Sequence, residues 1–143
     1  MLSKKHVKSS WVVRKKTNSV INKPWGTETI WSGFFGIHGK TCFIKAGARS
    51  SFKYFPIKSE VLFLRSGKAE VTFGAEETLL DPIGYPLKSE ILCEGDVLMV
   101  QSGCPYRVKA ITDCEIIDIG NNSTDKPVRI EDDYGRATAK KKS

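Results

Sequence analysis

The sequence predicts an all-β chain folded as one antiparallel sandwich or barrel, and three observations carry that prediction. Between Trp25 and Ile119, short runs rich in β-branched and aromatic residues follow one another. Glycines and other turn residues punctuate them, and no long stretch repeats with a helical period. The first runs, 27–31 and 41–45, are separated by Gly33, Gly36 and Gly39, and the second is closed by Gly47. Residues 61–65 and 69–73 flank the turn at Ser66-Gly67, with Gly74 ending the second run. Residues 97–100, 107–111 and 115–119 complete the set, bounded by Gly95 and Gly103. Residues 79–87, which contain Asp81-Pro82 and Gly84-Tyr85-Pro86, predict a loop. Such regular spacing of short strands suits a sandwich or barrel.

A chain of 143 residues is long enough to bury one core and predicts one domain. No apolar run approaches the length of a membrane span, and residues 1–22 lack a signal-peptide pattern, so a cytoplasmic protein is expected. Cys42, Cys93, Cys104 and Cys114 lack the paired spacing of structural zinc sites and read as reduced thiols. Asn121 and Asn122 begin sequons but read as turn residues.

Charge is unevenly spread. Residues 1–23 and 136–143 hold 11 of the 23 Lys and Arg and none of the 16 acids, which leaves 12 cations against 16 acids between them. The chain is therefore divided into a basic amino-terminal arm (1–22, partly ordered), a barrel (23–136) and a basic tail (137–143). The tails could touch a polyanion, but no aromatic-basic alternation points to nucleic acid as a partner. Trp11-Val12-Val13 and Val20-Ile21 give the arm apolar residues that could pack on the barrel or on a second subunit.

Two glycine-framed segments narrow the fold. The segment from Gly47 through Lys53, Phe55 and Glu60 to Gly67 resembles the first cupin motif, in which two histidines and a glutamate lie between glycines. The segment Gly95 to Arg107 resembles the second, with Gln101 in place of a proline and Tyr106 in place of a histidine. Lys23-Pro24-Trp25-Gly26-Thr27-Glu28 and Val128-Arg129-Ile130-Glu131-Asp132-Asp133-Tyr134-Gly135-Arg136 resemble the opening and closing signatures of the mannose-6-phosphate isomerase type II cupin domain. The resemblance covers residues 23–136 and implies a cupin double-stranded β-helix, a jelly-roll barrel, and a homodimer.

In that family a divalent metal such as zinc is held by the motif histidines and glutamate. Here those positions are Lys53, Phe55, Glu60 and Tyr106. A cationic amine cannot coordinate, Phe55 has no donor, and a phenol is an uncommon ligand. The expectation is therefore no metal cofactor, with Lys53 and Glu60 turned inward as a polar cluster and Tyr106 donating a hydrogen bond to Glu60. The competing arrangement sends Lys53 out of the barrel mouth and pairs Glu60 with a surface Lys58.

Strand alternation puts Arg49, Ser51, Lys53 and Phe55 on one face, the candidate pocket. With Glu60 and Tyr106, these residues could hold a small carbohydrate or sugar phosphate. By resemblance, Arg136 could anchor the phosphate; alternatively it pairs with an acid such as Asp132. If the protein is an enzyme, the resemblance implies a sugar-phosphate isomerase, with Glu60 as base and Lys53 as electrophile. The third reading is a filled barrel serving as an interaction module. His6 and His38 belong to no recognisable ligand or catalytic spacing.

Overall fold

The computed structural model describes residues 19–137, together with Arg14 and Lys16. The sequence features at His6, Trp11, Val12 and Val13 and in the terminal lysines lie outside the described residues. Among the described residues, eleven strands form two antiparallel sheets. They are β1 (Val20–Lys23), β2 (Gly26–Ser32), β3 (His38–Ile44), β4 (Phe52–Tyr54), β5 (Glu60–Ser66), β6 (Ala69–Phe73), β7 (Lys88–Leu92), β8 (Val97–Val100), β9 (Tyr106–Ala110), β10 (Cys114–Gly120) and β11 (Val128–Glu131). The larger sheet runs β1-β2-β3-β10-β5-β8 and the smaller β11-β4-β9-β6-β7. Among the described residues only two short 3-10 turns interrupt the β structure, and no helix is long and apolar enough to cross a membrane.

All seven predicted runs fall on strands. Four further strands were not predicted. β1 lies in what reads as the arm and pairs with β2 from Val20↔Thr29 to Lys23↔Gly26. β4 has only three residues, too few to show alternation. β7 buries only its last residue, Leu92, so its sequence carries no inward face. β11 coincides with the closing signature and is held to β4 through Val128↔Tyr54 and Arg129↔Lys53.

The core lies between the sheets and follows the period of two along each strand. On β10, Cys114, Ile116, Asp118 and Gly120 point inward. On β3 the inward set is Ile44, Cys42, Lys40 and His38, in register with those four residues. On β5 it is Leu64, Leu62 and Glu60. From the smaller sheet, Val71, Val108 and Ala110 close the interior, each almost fully buried.

Gly67 turns β5 into β6 at φ 91, and a Cβ there would strike the carbonyl oxygen of Asp113. Only glycine meets both conditions, so the closing glycine of the first motif is needed for the hairpin to lie against the end of β10.

Candidate functional site

The site is a cavity of about 220 Å³ at the end of the barrel where β3, β5 and β10 carry their polar inward residues. The register explains how residues distant in sequence meet there. Gly120 of β10 stands opposite both His38 of β3 and Glu60 of β5, so the three form one row across the sheet. Asp118 lies two residues along β10 on the same face. Because Gly120 has no side chain, the stem of Lys58 fits against it, and an added Cβ would lie 3.3 Å from Lys58 Cδ. Across the cavity, Lys53 of β4 pairs in register with Tyr106 of β9.

The side chains form one connected network. The Tyr106 hydroxyl donates to Glu60 Oε1 at 2.7 Å. The Lys53 ammonium lies 4.8 Å from the centre of the Tyr106 ring. Lys58 Nζ is 3.0 Å from His38 Nδ1, and His38 Nε2 is 3.1 Å from Asp118 Oδ1. A carboxyl oxygen of Glu60 also lies within 4.8 Å of one of Asp118.

Burial and then Asp118 push the Glu60 carboxyl up to about 7, against the opposing pull of Tyr106 and Lys53. Burial would raise Asp118 as well, but hydrogen bonds from His38 and Glu60 outweigh it and hold Asp118 below the usual carboxylate range. Two carboxylates so close cannot both be ionised at low cost, which favours the protonated form of Glu60. Burial holds Tyr106 well above the ordinary phenol range, with Glu60 adding to the shift. Burial lowers both Lys53 and Lys58, with Glu60 working against the shift in each case.

Ser51, Lys53, Phe55, Glu60, Tyr106 and Arg136 all line the cavity. Arg49 does not. Its guanidinium makes a bidentate pair with Asp133, at 2.5 and 2.7 Å, on the barrel surface. The extrapolated alternation fails there because β4 begins only at Phe52, while Arg49 sits in an isolated bridge opposite Lys109. Arg136 occupies both of its predicted settings. It lines the cavity while donating to Asp132 at 3.1 and 2.9 Å.

Lys58 departs from the surface role considered for it. It is 6% exposed, bonds His38 rather than Glu60, and its ammonium lies 4.5 Å from the centre of the Phe55 ring.

The four positions where the family keeps metal ligands do converge on the cavity. They offer one carboxyl already bonded to a phenol, an amine and a hydrocarbon ring, which do not fit the family's metal. A different trio, His38, Glu60 and Asp118, brings one donor atom each within 4.8 Å of one another. Here the ring nitrogens decide. Asp118 is an acceptor, so His38 carries its proton on Nε2, and the Nδ1 lone pair faces Lys58. An ion between the carboxyls would have to displace the Nε2 proton.

Reasoning from sequence missed His38 and Asp118. His38 sits in a glycine-rich turn sequence, and its partner is 80 residues away. Asp118 carried a usable signal, being a carboxylate at an inward position of the strand Cys114–Gly120.

No family model matches the chain, and no curated protein matches it. Solved structures do. Oxalate decarboxylase from Bacillus subtilis superposes with a TM-score of 0.63 at 16% identity, over 74% of this chain and 28% of that one. Vicilin from Corylus avellana gives 0.64 at 13% identity, over 76% and 33%. CapF, solved with an inhibitor, gives 0.62 at 16% identity, over 72% and 30%. The chain thus spans at most a third of the length of these structures. The fold is the all-β cupin barrel. At such identities the likeness carries the fold and no activity.

Proposed function

We propose that this cupin resembles the mannose-6-phosphate isomerase domain with its metal exchanged for a buried polar cluster, and that it binds a small carbohydrate or sugar phosphate. The observation that carries this reading is the charge of the cavity wall. Six basic side chains, Lys23, Lys40, Lys53, Lys58, Arg129 and Arg136, face four carboxyl groups, Glu28, Glu60, Asp118 and Asp125. Basic groups thus outnumber acids in a partly desolvated space, which favours a dianion such as a phosphate monoester. The volume, about 220 Å³, lies below the roughly 300–1,000 Å³ of pockets that take drug-sized ligands, and suits a smaller one.

Titration calorimetry with mannose 6-phosphate, fructose 6-phosphate and free mannose tests the reading. Binding of the phosphates with proton uptake is expected, because an arriving dianion favours the charged forms of Lys53 and Lys58. Absence of any heat would return the barrel to the role of an interaction module. Metal analysis by elemental mass spectrometry, before and after incubation with zinc, manganese, nickel and iron, tests the exchange. Near-stoichiometric metal would overturn it. A homodimer belongs to the same proposal and is checked by sedimentation.

A second reading, an active sugar-phosphate isomerase, is favoured by one observation. A Glu60 carboxyl near 7 can both take and give a proton at neutral pH. Lys53 would then stabilise the enediolate. Failure to interconvert mannose 6-phosphate and fructose 6-phosphate, with and without divalent metal, would end that reading.

A further inference from the structure

Lys58 holds a position that ligand charge alone does not explain. Its stem is threaded against Gly120, which places Nζ 3.0 Å from His38 Nδ1 inside the cavity. The imidazole is fixed from its far side by Asp118 at 3.1 Å. With the proton on Nε2, the free lone pair of the ring points at the amine. An amine, a base within hydrogen-bond reach and a carboxylate that orients the base make the arrangement used for activated nucleophiles. Lys53 and Lys40 also line the cavity, but Lys53 lies over the Tyr106 ring and Lys40 donates to Glu28, so Lys58 is the amine held against an imidazole.

We propose that Lys58 condenses with the carbonyl group of a small aldehyde or ketone in the cavity, with His38 as the base and Asp118 as the residue that positions it. The neutral amine adds to the carbonyl carbon, forming the C–N bond as the π electrons move to oxygen. His38 Nδ1 takes a proton from the nitrogen and returns it to that oxygen. A second proton follows the same route, and the oxygen leaves as water while the nitrogen lone pair forms the C=N bond. Both amine hydrogens depart with the carbonyl oxygen, and no oxidant or metal is required. The imine would be an electron sink for proton transfer at the neighbouring carbon, where Glu60 stands ready on the same wall. This goes beyond the sugar-phosphate reading, since it requires only a carbonyl compound that fits the space.

The test is reductive trapping on the full chain. Dihydroxyacetone and sodium cyanoborohydride are added at neutral pH, and the modified lysines are mapped by peptide mass spectrometry. Lys58 should be labelled at least about tenfold faster than the exposed Lys45, Lys68 and Lys88, and His38→Gln should slow it by about a hundredfold. Labelling spread evenly over the exposed lysines, or concentrated on Lys53, would overturn the proposal, as would an unchanged rate in His38→Gln. Lys58→Arg should lose the label at this position, and if that variant does not fold the wild-type map still decides. Sorbitol 6-phosphate, which has no carbonyl, separates this inference from the ligand reading. Protection of Lys58 by it supports phosphate recognition, whereas rapid labelling without protection sustains the Lys58 chemistry and counts against that recognition.

Discussion

The two ends of the barrel interior are built from the same strands, yet their inward residues differ in kind. At one end Ile44, Leu64, Val71, Val108, Ala110 and Cys114 fill the space, each at most 3% exposed. At the other, the same strands present Lys40, Glu60, Tyr106 and Asp118 to the cavity, with His38 bonded to Asp118. β10 shows the change within one strand, from Cys114 and Ile116 to Asp118 and Gly120. The backbone pairing is continuous across both ends. The difference therefore lies in side chains alone, and it separates the work of holding the barrel closed from the work of recognition.

The largest expected effect comes from the filled end. Leu64, at 1% exposure, is among the most enclosed side chains. Leu64→Ala should cost about 2–5 kcal/mol through lost burial and the cavity left behind, read as a fall in the denaturation midpoint at unchanged slope. Sugar-phosphate affinity of the fraction that remains folded should stay within about twofold of wild type, a margin set by additivity between separated sites. A proportionate loss of affinity would show that the two ends are not separable.

Next in size is a pH effect confined to the polar end. Glu60 is held near 7 when folded and near 4.5 when unfolded, so the folded chain binds this proton more tightly. Its contribution is complete below about 4.5 and is lost as pH rises through 7, at most about 3 kcal/mol in all. Asp118 and Asp132, held low, act in the opposite sense and only as pH falls through their own range. Lys53 and Lys58, held low by burial, act against Glu60 as pH rises, so wild-type stability between pH 4.5 and 8 should fall relative to Glu60→Gln, which lacks the Glu60 contribution. A decline of equal size in both proteins would remove Glu60 as its source.

The division between the ends also explains what could be read from sequence. The apolar end was legible because its strands alternate, and all seven predicted runs lie there or extend from it. The frame of the site was legible too, since Lys53, Glu60 and Tyr106 fall at motif positions. Lys58 and His38 were not, because both sit in turn-like stretches whose burial depends on a register neither segment encodes. Lys58 lies inside with its stem packed against Gly120 on another strand, where a Cβ would crowd it. Arg49 erred in the reverse direction, since the alternation that places Lys53 was extended past the start of β4.

A smaller effect isolates the connection between the carboxyls. After burial, Asp118 is the largest influence raising Glu60, and it also holds the His38 ring. Asp118→Asn should bring the Glu60 titration down toward the ordinary carboxylate range, followed by carbon NMR of the side-chain carboxyl. It should cost about 1–3 kcal/mol for the disturbed buried hydrogen bonds. An unmoved titration would mean that burial alone sets Glu60, and that the network is a row of neighbours without coupling.

The smallest effect lies at the rim, where the closing segment folds over the cavity. Arg49 and Asp133 form its bidentate pair, but their side chains are 42% and 38% exposed, so solvent screens most of the attraction. Arg107, buried beneath, adds a contact to Asp133 at 3.9 Å and one to Glu131 at 3.6 Å. Arg49→Gln should therefore cost less than about 1 kcal/mol, and the cost should shrink as salt is raised. Because β11 and Arg136 supply one wall of the cavity, loosening this segment should speed ligand release more than it alters overall stability. Stopped-flow release measured alongside chemical denaturation distinguishes the two. An unchanged release rate with lowered stability would place the Arg49 pair in the structural half of the barrel rather than at its mouth.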